Sequence, residues 1–548
     1  MLLKATVRRA DLLAVIKRLQ LAVAIALAAL AFPAIAAAGG LSIGVTDDLG
    51  KDAADGGVAF LDTLAELGMR ENRVSVPWDP DAPATVRDKP QLDRYVANAT
   101  ARGVRVVFAV YPARPTALTS TLASTGQFTA FLQTLARSYP EVQDFIVGNE
   151  PNQPRFWRPQ FDANRNPLAC TAYAATLAAA YDALKSVDAG IRVIGVGLSP
   201  RGNDDPLSPD NPSTSPVRCL RDIGAAYRAS GRTTPLMDEL AFHAYPDRDT
   251  HPLAIGYPWP RAGLNNLDRI KQAVWDAFNG TAQPTFEEAG QSVVLTSLKL
   301  RLAEVGWQVG IVPSAQSAYH GQENVTPTDE GHQAEIYAEA IRLAACDASV
   351  KSLLFFGLQD EPDLARWQAG LMRADGTRRP SYDSVKAAIA QTGANCPGGP
   401  FAWRHAAGLV GASVRFGDAR RVLPATQRRW GFAVGAKENA LFTAGLFRIP
   451  RAPAAAPQWA KVVGRSLARG GALRPTLRVS GRVKAPWGRS VSFPLRRVAP
   501  GYYVYGIRLT AEMNRARATV LMSQAFRVGK IDRTSKPKTR KPRKKRAR

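Results

Sequence analysis

The most regular feature of the chain is an alternation of short apolar runs with longer amphipathic stretches between residues 41 and 391. Eight runs have the length and character of parallel strands that are buried on both faces. They cover residues 41–46, 71–77, 103–112, 142–148, 191–198, 239–245, 299–303 and 351–357. Helical spacing fills 58–67, 91–102, 128–138, 172–186 and 331–345. Eight such strand–helix units predict an α/β fold, a closed (β/α)8 or TIM barrel.

An open, doubly wound sheet is the alternative architecture for this alternation. It would require a glycine-rich phosphate-binding turn after the first strand. Residues 47–50 instead read Asp-Asp-Leu-Gly. We therefore predict a barrel domain over residues 39–395, whose chemistry would lie at the carboxyl ends of its strands.

The pattern changes after about residue 400. Short alternating segments are separated by turns such as Gly470-Gly471 and Pro500-Gly501, which is typical of an antiparallel β-sandwich. The segments cover 408–416, 430–434, 441–447, 473–483, 491–497, 502–509 and 517–528. We predict a β-rich module over 400–528. It forms either one unit or two small units that the Ala/Pro-rich stretch 450–457 separates. Residues 529–548, rich in Lys, Arg, Ser, Thr and Pro, predict a disordered basic tail.

The first 38 residues have the features of a signal peptide. Basic residues precede an apolar run over 19–32, and Pro33 and an Ala-x-Ala pattern follow. An uncleaved membrane anchor is the alternative, because the Ala-rich run approaches membrane-spanning length. Cleavage would make the protein secreted or associated with the cell surface, with no stable membrane span left.

Four cysteines fit an exported protein. Their wide spacing contains no Cys-x-x-Cys pattern, and the simplest pairing is Cys170–Cys219 with Cys346–Cys396, one of three possible pairings. Buried free thiols are the alternative. The five histidines form no ligand-like cluster, so we expect no catalytic metal and no cofactor.

Charge is distributed very unevenly along the chain. Residues 401–548 contain 34 Lys and Arg against 4 Asp and Glu, whereas residues 1–400 contain 38 against 42. An anionic cell-wall polymer or acidic glycan is the expected partner of the C-terminal module. Nucleic acid is the rival partner, but the module has no recognisable nucleic-acid motif and exported proteins rarely meet DNA.

Two glutamates follow predicted strands. Glu150 stands in Asn149-Glu150-Pro151 directly after strand four, and Pro151 restricts the backbone that presents it. Glu304 comes directly after strand seven. Each alone has a plain structural reading, an Asx-capped turn for the first and half of a surface ion pair for the second. Two carboxyl groups facing each other across a cleft are what glycosidic bond cleavage requires.

With these motifs the sequence resembles the clan of retaining glycosidases often called clan A, which includes cellulase-like, mannanase-like and xylosidase-like families. The resemblance covers residues 41–392 and rests on Asn-Glu-Pro at 149–151, Glu-Val-Gly-Trp at 304–307 and the strand order between them; Arg-Pro-Ser-Tyr at 379–382 also fits. It implies that Glu150 is the general acid/base, that Glu304 is the nucleophile, and that Asn149 binds the sugar 2-hydroxyl.

The resemblance assigns roles to three further residues. Arg73 would lie beside the nucleophile and keep it ionised, Tyr245 would donate a hydrogen bond to it, and His243 would line the sugar subsite. Trp307, which follows strand seven, is a candidate for stacking on a sugar ring, with packing in the protein interior as the alternative. The alternative for Arg73 is a salt bridge to an acid in the barrel core, and the alternative for His243 and Tyr245 is a place as hydrogen-bonded core residues. The chain departs from the clan in lacking a tryptophan at the end of strand eight, where Phe356 or Trp367 would have to replace it.

The function predicted from these residues is retaining hydrolysis of the O-glycosidic bonds of a poly- or oligosaccharide. A non-catalytic glycan-binding or wall-anchored scaffold is one alternative, although it would not need both carboxylates. A transglycosylase is another, and it shares every residue named above.

Overall fold

The computed structural model describes residues 40–118, 122–288 and 297–392, together with most of 403–529. The predicted signal peptide and all but the first residue of the predicted tail lie outside the described residues.

Eight parallel strands close into a barrel, as the apolar pattern predicts. Each strand pairs with the next along the chain, and β8 pairs with β1. The strands are β1 (Ser42–Thr46), β2 (Glu71–Trp78), β3 (Arg105–Pro112), β4 (Asp144–Val147), β5 (Arg192–Leu198), β6 (Glu239–His243), β7 (Lys299–Val305) and β8 (Val350–Phe356). The predicted fold class is confirmed, with every strand found close to its predicted position.

Helices connect the strands and pack their apolar faces on the outside of the barrel. They are α1 (Leu49–Asp52), α2 (Val58–Leu67), α3 (Lys89–Ala101), α4 (Leu122–Ser138), α5 (Ala169–Val187), α6 (Pro216–Ala229), α7 (Leu267–Phe278), α8 (Glu330–Ala345) and α9 (Pro380–Ala390), with 3-10 turns at Leu264–Asn266 and Pro313–Ala318. The apolar pattern predicts no bounds for α6 and α7. Both are strongly amphipathic, and each buries one face against the barrel.

The interior of the barrel is arranged in layers, which β6 illustrates. Its alternate residues Glu239, Ala241 and His243 point to the same side, so one strand contributes a charged, an apolar and a polar side chain in sequence. Ala241 belongs to a small apolar cluster with Val107, Ala109, Ile146, Ile194 and Ala303. This cluster separates an ionic layer below from the polar side chains at the carboxyl ends of the strands.

The ionic layer is centred on Arg301, which is completely buried. Its guanidinium donates to Glu71 at 2.5 Å, to Asp144 at 2.8 Å and to Glu239. Burial opposes ionisation of Asp144, but hydrogen bonds and charge from Arg192 and Arg301 hold its pKa below the ordinary value. If one member of such a buried group is removed, the remaining charges are left without a partner, which is costly. The group therefore holds strands two, four, six and seven together.

The C-terminal module is a two-sheet sandwich. Its strands are β9 (Ser413–Phe416), β10 (Val422–Leu423), β11 (Arg429–Gly435), β12 (Ala440–Ile449), β13 (Leu477–Val483), β14 (Arg489–Pro494), β15 (Gly501–Ala511), β16 (Ala518–Met522) and β17 (Phe526–Val528). One sheet has the order β10-β17-β15-β12-β13, with β16 also paired to β15, and the other has the order β14-β11-β9. Apolar side chains such as Phe432, Phe442 and Tyr505 fill the space between the sheets. The predicted β-sandwich character is confirmed.

One helix of the module was not predicted. Residues assigned to no element form α10 (Pro457–Arg469), whose Val463 and Leu467 are buried against Phe447 and Val504 of the larger sheet. Its sequence contains Ala, Val, Lys and Arg, which are all acceptable in a helix. The Ala/Pro-rich stretch that precedes it is typical of a linker, so the sequence pattern does not predict a helix there. The helix covers one end of the outer face of that sheet.

Charged and aromatic contacts join the module to the barrel. Arg517, between β15 and β16, pairs with Asp276 of α7 at 3.0 Å. His405 stacks on Trp275 with ring centroids 4.1 Å apart and contacts Glu288 at 2.7 Å. The two predicted domains therefore share a specific junction.

The predicted Cys170–Cys219 disulfide is present, with the Cα atoms 5.3 Å apart. It joins the first turns of α5 and α6. The second predicted pair includes Cys396, which lies outside the described residues. In the part of the chain that the structure describes, no helix combines the length and apolar character required to cross a bilayer.

Candidate active site

Glu150 is presented by an unusual backbone at the end of β4. Gly148 has φ 84° and Glu150 itself has φ 37°, and residues other than glycine seldom adopt a positive φ. The amide of Glu150 donates to the carbonyl of Gly197 at 2.9 Å. Strain of this kind persists only where neighbouring structure holds it, and here the next strand does so.

That neighbouring strand is irregular at the point of contact. β5 carries a register shift between Val196 and Leu198, with φ 102° at Val196 and 59° at Gly197. A Cβ atom at position 197 would lie 3.4 Å from the imidazole of His243, an ordinary contact distance, so the positive φ is what disfavours a residue other than glycine there. The bulge thus brings the carbonyl of Gly197 to the amide of Glu150.

Asn152 fastens the same loop and was not predicted as a site residue. Its amide nitrogen donates to the carbonyls of Ser199 and Thr214, and its oxygen accepts from the amide of Ser199 at 3.0 Å. The side chain is fully buried. Asn152 therefore connects the loop after β4, which carries Glu150, to the loop after β5.

Glu304 reaches the interior of the barrel through a second bulge. On β7, Arg301 and Ala303 face inward, so regular alternation would turn Glu304 outward. The pairing to β6 passes from Phe242–Leu302 to His243–Glu304, which leaves Ala303 unpaired. This extra residue reverses the alternation, and Glu304 joins the polar layer.

The carboxylate of Glu304 is held by two donors. Arg73 donates to Oε1 and Tyr245 donates to Oε2, both at 2.8 Å. Arg73 also donates to the side-chain oxygen of Asn149 at 2.7 Å. Burial, followed by the negative charge of Glu304, raises the pKa of Tyr245 far above its ordinary value, so its hydroxyl remains a donor. Glu304 is thus surrounded by the contacts that an anion requires.

His243 lies between the two glutamates and is completely buried. Its Nδ1 is 2.9 Å from Oε1 of Glu150 and 3.4 Å from Oε2 of Glu304. One atom from each of these three side chains lies within 4.8 Å of the others. The structure therefore brings six of the seven predicted site residues into one connected group: Arg73, Asn149, Glu150, His243, Tyr245 and Glu304.

Trp307 is placed differently from the other predicted residues. It is only 2% exposed, donates its indole N–H to the carbonyl of His251 and packs against Tyr337. It reaches the rest of the site only as a wall of a small cavity that Tyr245 also lines. Contact of Trp307 with a sugar stays a prediction.

Trp367, in the loop after β8, is the more accessible aromatic side chain. It is 38% exposed and stacks on Tyr245 with ring centroids 5.0 Å apart. Phe356 packs edge-on against both rings, at 5.9 Å from Tyr245 and 5.3 Å from Trp367. Both candidates for the missing strand-eight tryptophan therefore lie beside the tyrosine that contacts Glu304.

Asp47 closes the same end of the barrel between β1 and β8. Its carboxyl group accepts from the amides of Leu49 and Leu358 at 2.8 and 2.7 Å. Burial raises the pKa of Asp47 to about 6, against the opposing effect of these hydrogen bonds. Asp47 thus anchors the loop that leads to Trp367.

Among the described residues, Glu150, His243 and Glu304 form the group whose ligand atoms are close enough to hold a metal ion. Arg73 already places a positive charge 2.8 Å from Glu304. One oxygen of that carboxylate is therefore already paired with a guanidinium.

No protein-family model matches the chain, and no curated protein matches it either. Solved structures show some similarity to it. The chain is similar to a family 39 glycoside hydrolase from Bacteroides cellulosilyticus WH2 at 16% identity, over 76% of this chain and 74% of the other, with a TM-score of 0.45. It is also similar to a monomeric beta-xylosidase from Caulobacter crescentus CB15, at 16% identity over 86% and 96% of the chains with a TM-score of 0.41. An exo-beta-1,4-mannosidase from Opitutaceae bacterium strain TAV5 matches at 15% identity over 65% and 60%, with a TM-score of 0.40. Fold does not determine reaction, which has to be argued from the side chains at the barrel mouth.

Proposed function

We propose that the protein is a retaining glycoside hydrolase that cleaves O-glycosidic bonds of a poly- or oligosaccharide. One observation carries the proposal: a carboxylate oxygen of Glu150 and one of Glu304 lie within 4.8 Å of each other. Retaining enzymes hold their two carboxyl groups about 5–5.5 Å apart, whereas inverting enzymes need about 6.5–9.5 Å to admit a water molecule between them.

The environments of the two carboxyl groups assign their roles. Arg73 and Tyr245 donate to both oxygens of Glu304 and stabilise it as an anion, which suits a nucleophile. Glu150 has His243 as its neighbour and has a more exposed side chain, at 16% against 10%. Proton exchange with a leaving group and with water requires that access, so Glu150 is the acid/base.

In the first step, Glu304 forms a bond to the anomeric carbon while Glu150 transfers its proton to the departing glycosidic oxygen. The product is a covalent glycosyl-enzyme with configuration inverted. In the second step, Glu150 removes a proton from water as the water oxygen attacks the anomeric carbon, and Glu304 leaves as an anion. Two inversions retain the configuration of the sugar.

Substrate binding follows from the same geometry. Asn149, oriented by Arg73, would bond the hydroxyl next to the anomeric carbon, and Trp367 offers an exposed aromatic face beside Tyr245. Sugar rings stack on such faces through their C–H groups. Trp367→Ala should therefore raise KM for every substrate that the enzyme accepts.

We further propose that the protein acts outside the cell and that its C-terminal module associates with an anionic cell-wall polymer. The disulfide between α5 and α6 is compatible with an oxidising compartment. Residues 401–548 contain 34 basic and 4 acidic residues, and this imbalance supports an anionic partner.

The decisive experiment combines variants with product analysis. Glu304→Gln should abolish turnover of aryl β-glycosides, and Glu150→Gln should reduce it by about 10²–10⁴-fold when the leaving group needs protonation. Glu335→Gln, a change of the same kind on the exposed face of α8, should leave activity unchanged. Proton NMR of the first product formed should show the configuration of the substrate. An inverted product would rule out the retaining mechanism, and activity in Glu304→Gln would rule out the nucleophile.

A further inference from the structure

The outer face of the larger sheet in the C-terminal module is only partly covered. Helix α10 packs over one end, where Val463 would touch a Cβ atom placed on Gly506 and Gly464 lies against Val520. Beyond the helix, the outward positions of β13, β12 and β15 remain without a covering element among the described residues.

Arginines occupy this uncovered region on two strands. Arg478 and Arg482 lie on the exposed side of β13, separated by Ser480. On β15, Arg508 lies in the same cross-strand row as Ser480, because both residues pair with Thr443 of β12. We call Arg478, Arg482 and Arg508, with Ser480 and Thr443, the outer arginine face.

The strand geometry gives the spacing of these charges. Residues two apart on one face of a strand lie about 7 Å apart, so the backbones of Arg478 and Arg482 are separated by about 13 Å. Arg508 is two strands away from β13, which is about 10 Å. Three cationic side chains thus spread over a nearly flat surface, a spacing suited to an extended chain with repeated negative charges.

Acidic side chains neutralise one of the three arginines of this face. Of the residues that the structure describes between 403 and 529, the acidic ones are Glu438 and Glu512. Glu438 is buried against Arg517, and Glu512 pairs with Arg482 at 2.6 Å. Arg478 donates to the backbone carbonyl of Leu467, and Arg508 donates to the hydroxyl of Thr510. Neither of the two described carboxylates pairs with these arginines.

The residues between the arginines indicate which kind of polyanion fits. Hydroxyl side chains alternate with the guanidinium groups, and the uncovered outward positions of β12, β13, β15 and β16 that the structure describes contain no aromatic residue. Proteins that hold single-stranded nucleic acid stack its bases on aromatic rings. Guanidinium groups with hydroxyls instead match a polymer that presents carboxylates and hydroxyls.

We propose that the outer arginine face binds an acidic polysaccharide, with uronate carboxylates on Arg478, Arg482 and Arg508 and sugar hydroxyls on the intervening Ser and Thr side chains. This inference rests on the polymer partner proposed above and specifies its surface and chemistry. The face belongs to the module and contains none of the candidate catalytic residues, so binding there does not require the carboxyl groups of Glu150 and Glu304.

The test measures binding of the intact protein to polygalacturonate at about 0.15 M salt, where charges far from the contact are screened. The triple variant Arg478→Gln, Arg482→Gln, Arg508→Gln should weaken binding at least about tenfold. The control variant Arg415→Gln, Lys437→Gln, Arg515→Gln removes the same charge from exposed positions elsewhere in the module and should change binding less than about threefold. Circular dichroism and thermal melting would confirm that both variants are folded.

Other outcomes overturn the proposal. Equal weakening in the two variants would mean that binding follows total charge, and binding unaffected by the triple variant would place the site elsewhere. Tighter binding of single-stranded DNA than of polygalacturonate, lost in the triple variant, would make the face a nucleic-acid surface. Dextran, a neutral glucan, should not bind. Activity on aryl β-glycosides is measured separately, so failure of this surface and failure of the proposed reaction are distinguishable.

Discussion

The contact between Tyr245 and Glu304 allows the sharpest test of the proposed mechanism. Tyr245→Phe removes the hydroxyl that donates to Oε2 of Glu304 at 2.8 Å and keeps the ring that stacks on Trp367. When the covalent intermediate breaks down, Glu304 leaves as an anion, and the Tyr245 hydrogen bond strengthens as that charge develops. The substitution should therefore slow the second step more than the first.

The expected magnitude follows from the charge on the acceptor. A hydrogen bond to a charged group contributes about 1.5–3 kcal/mol, which corresponds to a rate loss of about 10- to 150-fold. With an activated aryl β-glycoside, the variant should release a burst of about one aryl group per enzyme, followed by a slow steady state. Mass spectrometry of the quenched enzyme should detect the glycosyl adduct.

The control is a hydroxyl of the same kind far from the cleft. Tyr139 also donates to a carboxylate at 2.8 Å, that of Asp93, on the outside of the barrel. Tyr139→Phe should affect stability alone, with kcat unchanged. If Tyr245→Phe retains more than half of the wild-type kcat, or loses activity without a burst, the role assigned to Tyr245 is wrong.

Three further predictions concern stability. Arg301→Met leaves buried carboxylates without their central cation and should lower the free energy of unfolding by about 3–5 kcal/mol. Denaturant titration measures this loss. A loss below about 1 kcal/mol would show that those carboxyl groups become protonated at little cost. Replacing Cys170 and Cys219 by Ala opens a 49-residue loop and should lower stability by up to about 4 kcal/mol in the chain-entropy account, with an unchanged melting temperature arguing against a structural role. The pKa of Asp47 is raised to about 6, so the folded state keeps a proton that the unfolded state releases, and the contribution of Asp47 to stability is lost as pH rises from about 4 to about 6. Asp47→Asn should remove that part of the pH dependence. The free energy of unfolding of both proteins is measured as a function of pH, and the same change between about pH 4 and pH 6 in the two proteins would contradict the assignment.

The barrel was predictable because its strands carry their own signal. Runs such as Val-Arg-Val-Val-Phe-Ala-Val over 104–110 are apolar enough to be buried on both faces, and polar residues that follow strands collect at one rim. Glu150 could be located by this rule together with its Asn-Glu-Pro context. The sandwich could be predicted from alternation, but not the pairing order of its strands, which depends on contacts distant in the chain.

Other features had no local signal. Asn152 looks like any loop asparagine, and only the folded loops show that it bonds Ser199 and Thr214. Arg301 is an isolated charge within an apolar strand, and its carboxylate partners come from three other strands. Trp367 lies in a loop whose path is set by contacts such as those of Asp47. Such residues depend on tertiary neighbours that neither period nor composition encodes.

The two strand bulges explain how carboxyl groups from the ends of strands four and seven come to lie close together. A shift of one residue in register moves a side chain to the opposite face of a strand. Without the extra residue at Ala303, Glu304 would point toward the surrounding helices, and Arg73 would be left buried at the barrel mouth with no carboxylate partner from β7. Without the bulge at Val196, the carbonyl that accepts from Glu150 would not be in place. The residue types in the sequence supply the two carboxyl groups, but two local departures from regular strand geometry are what bring them together.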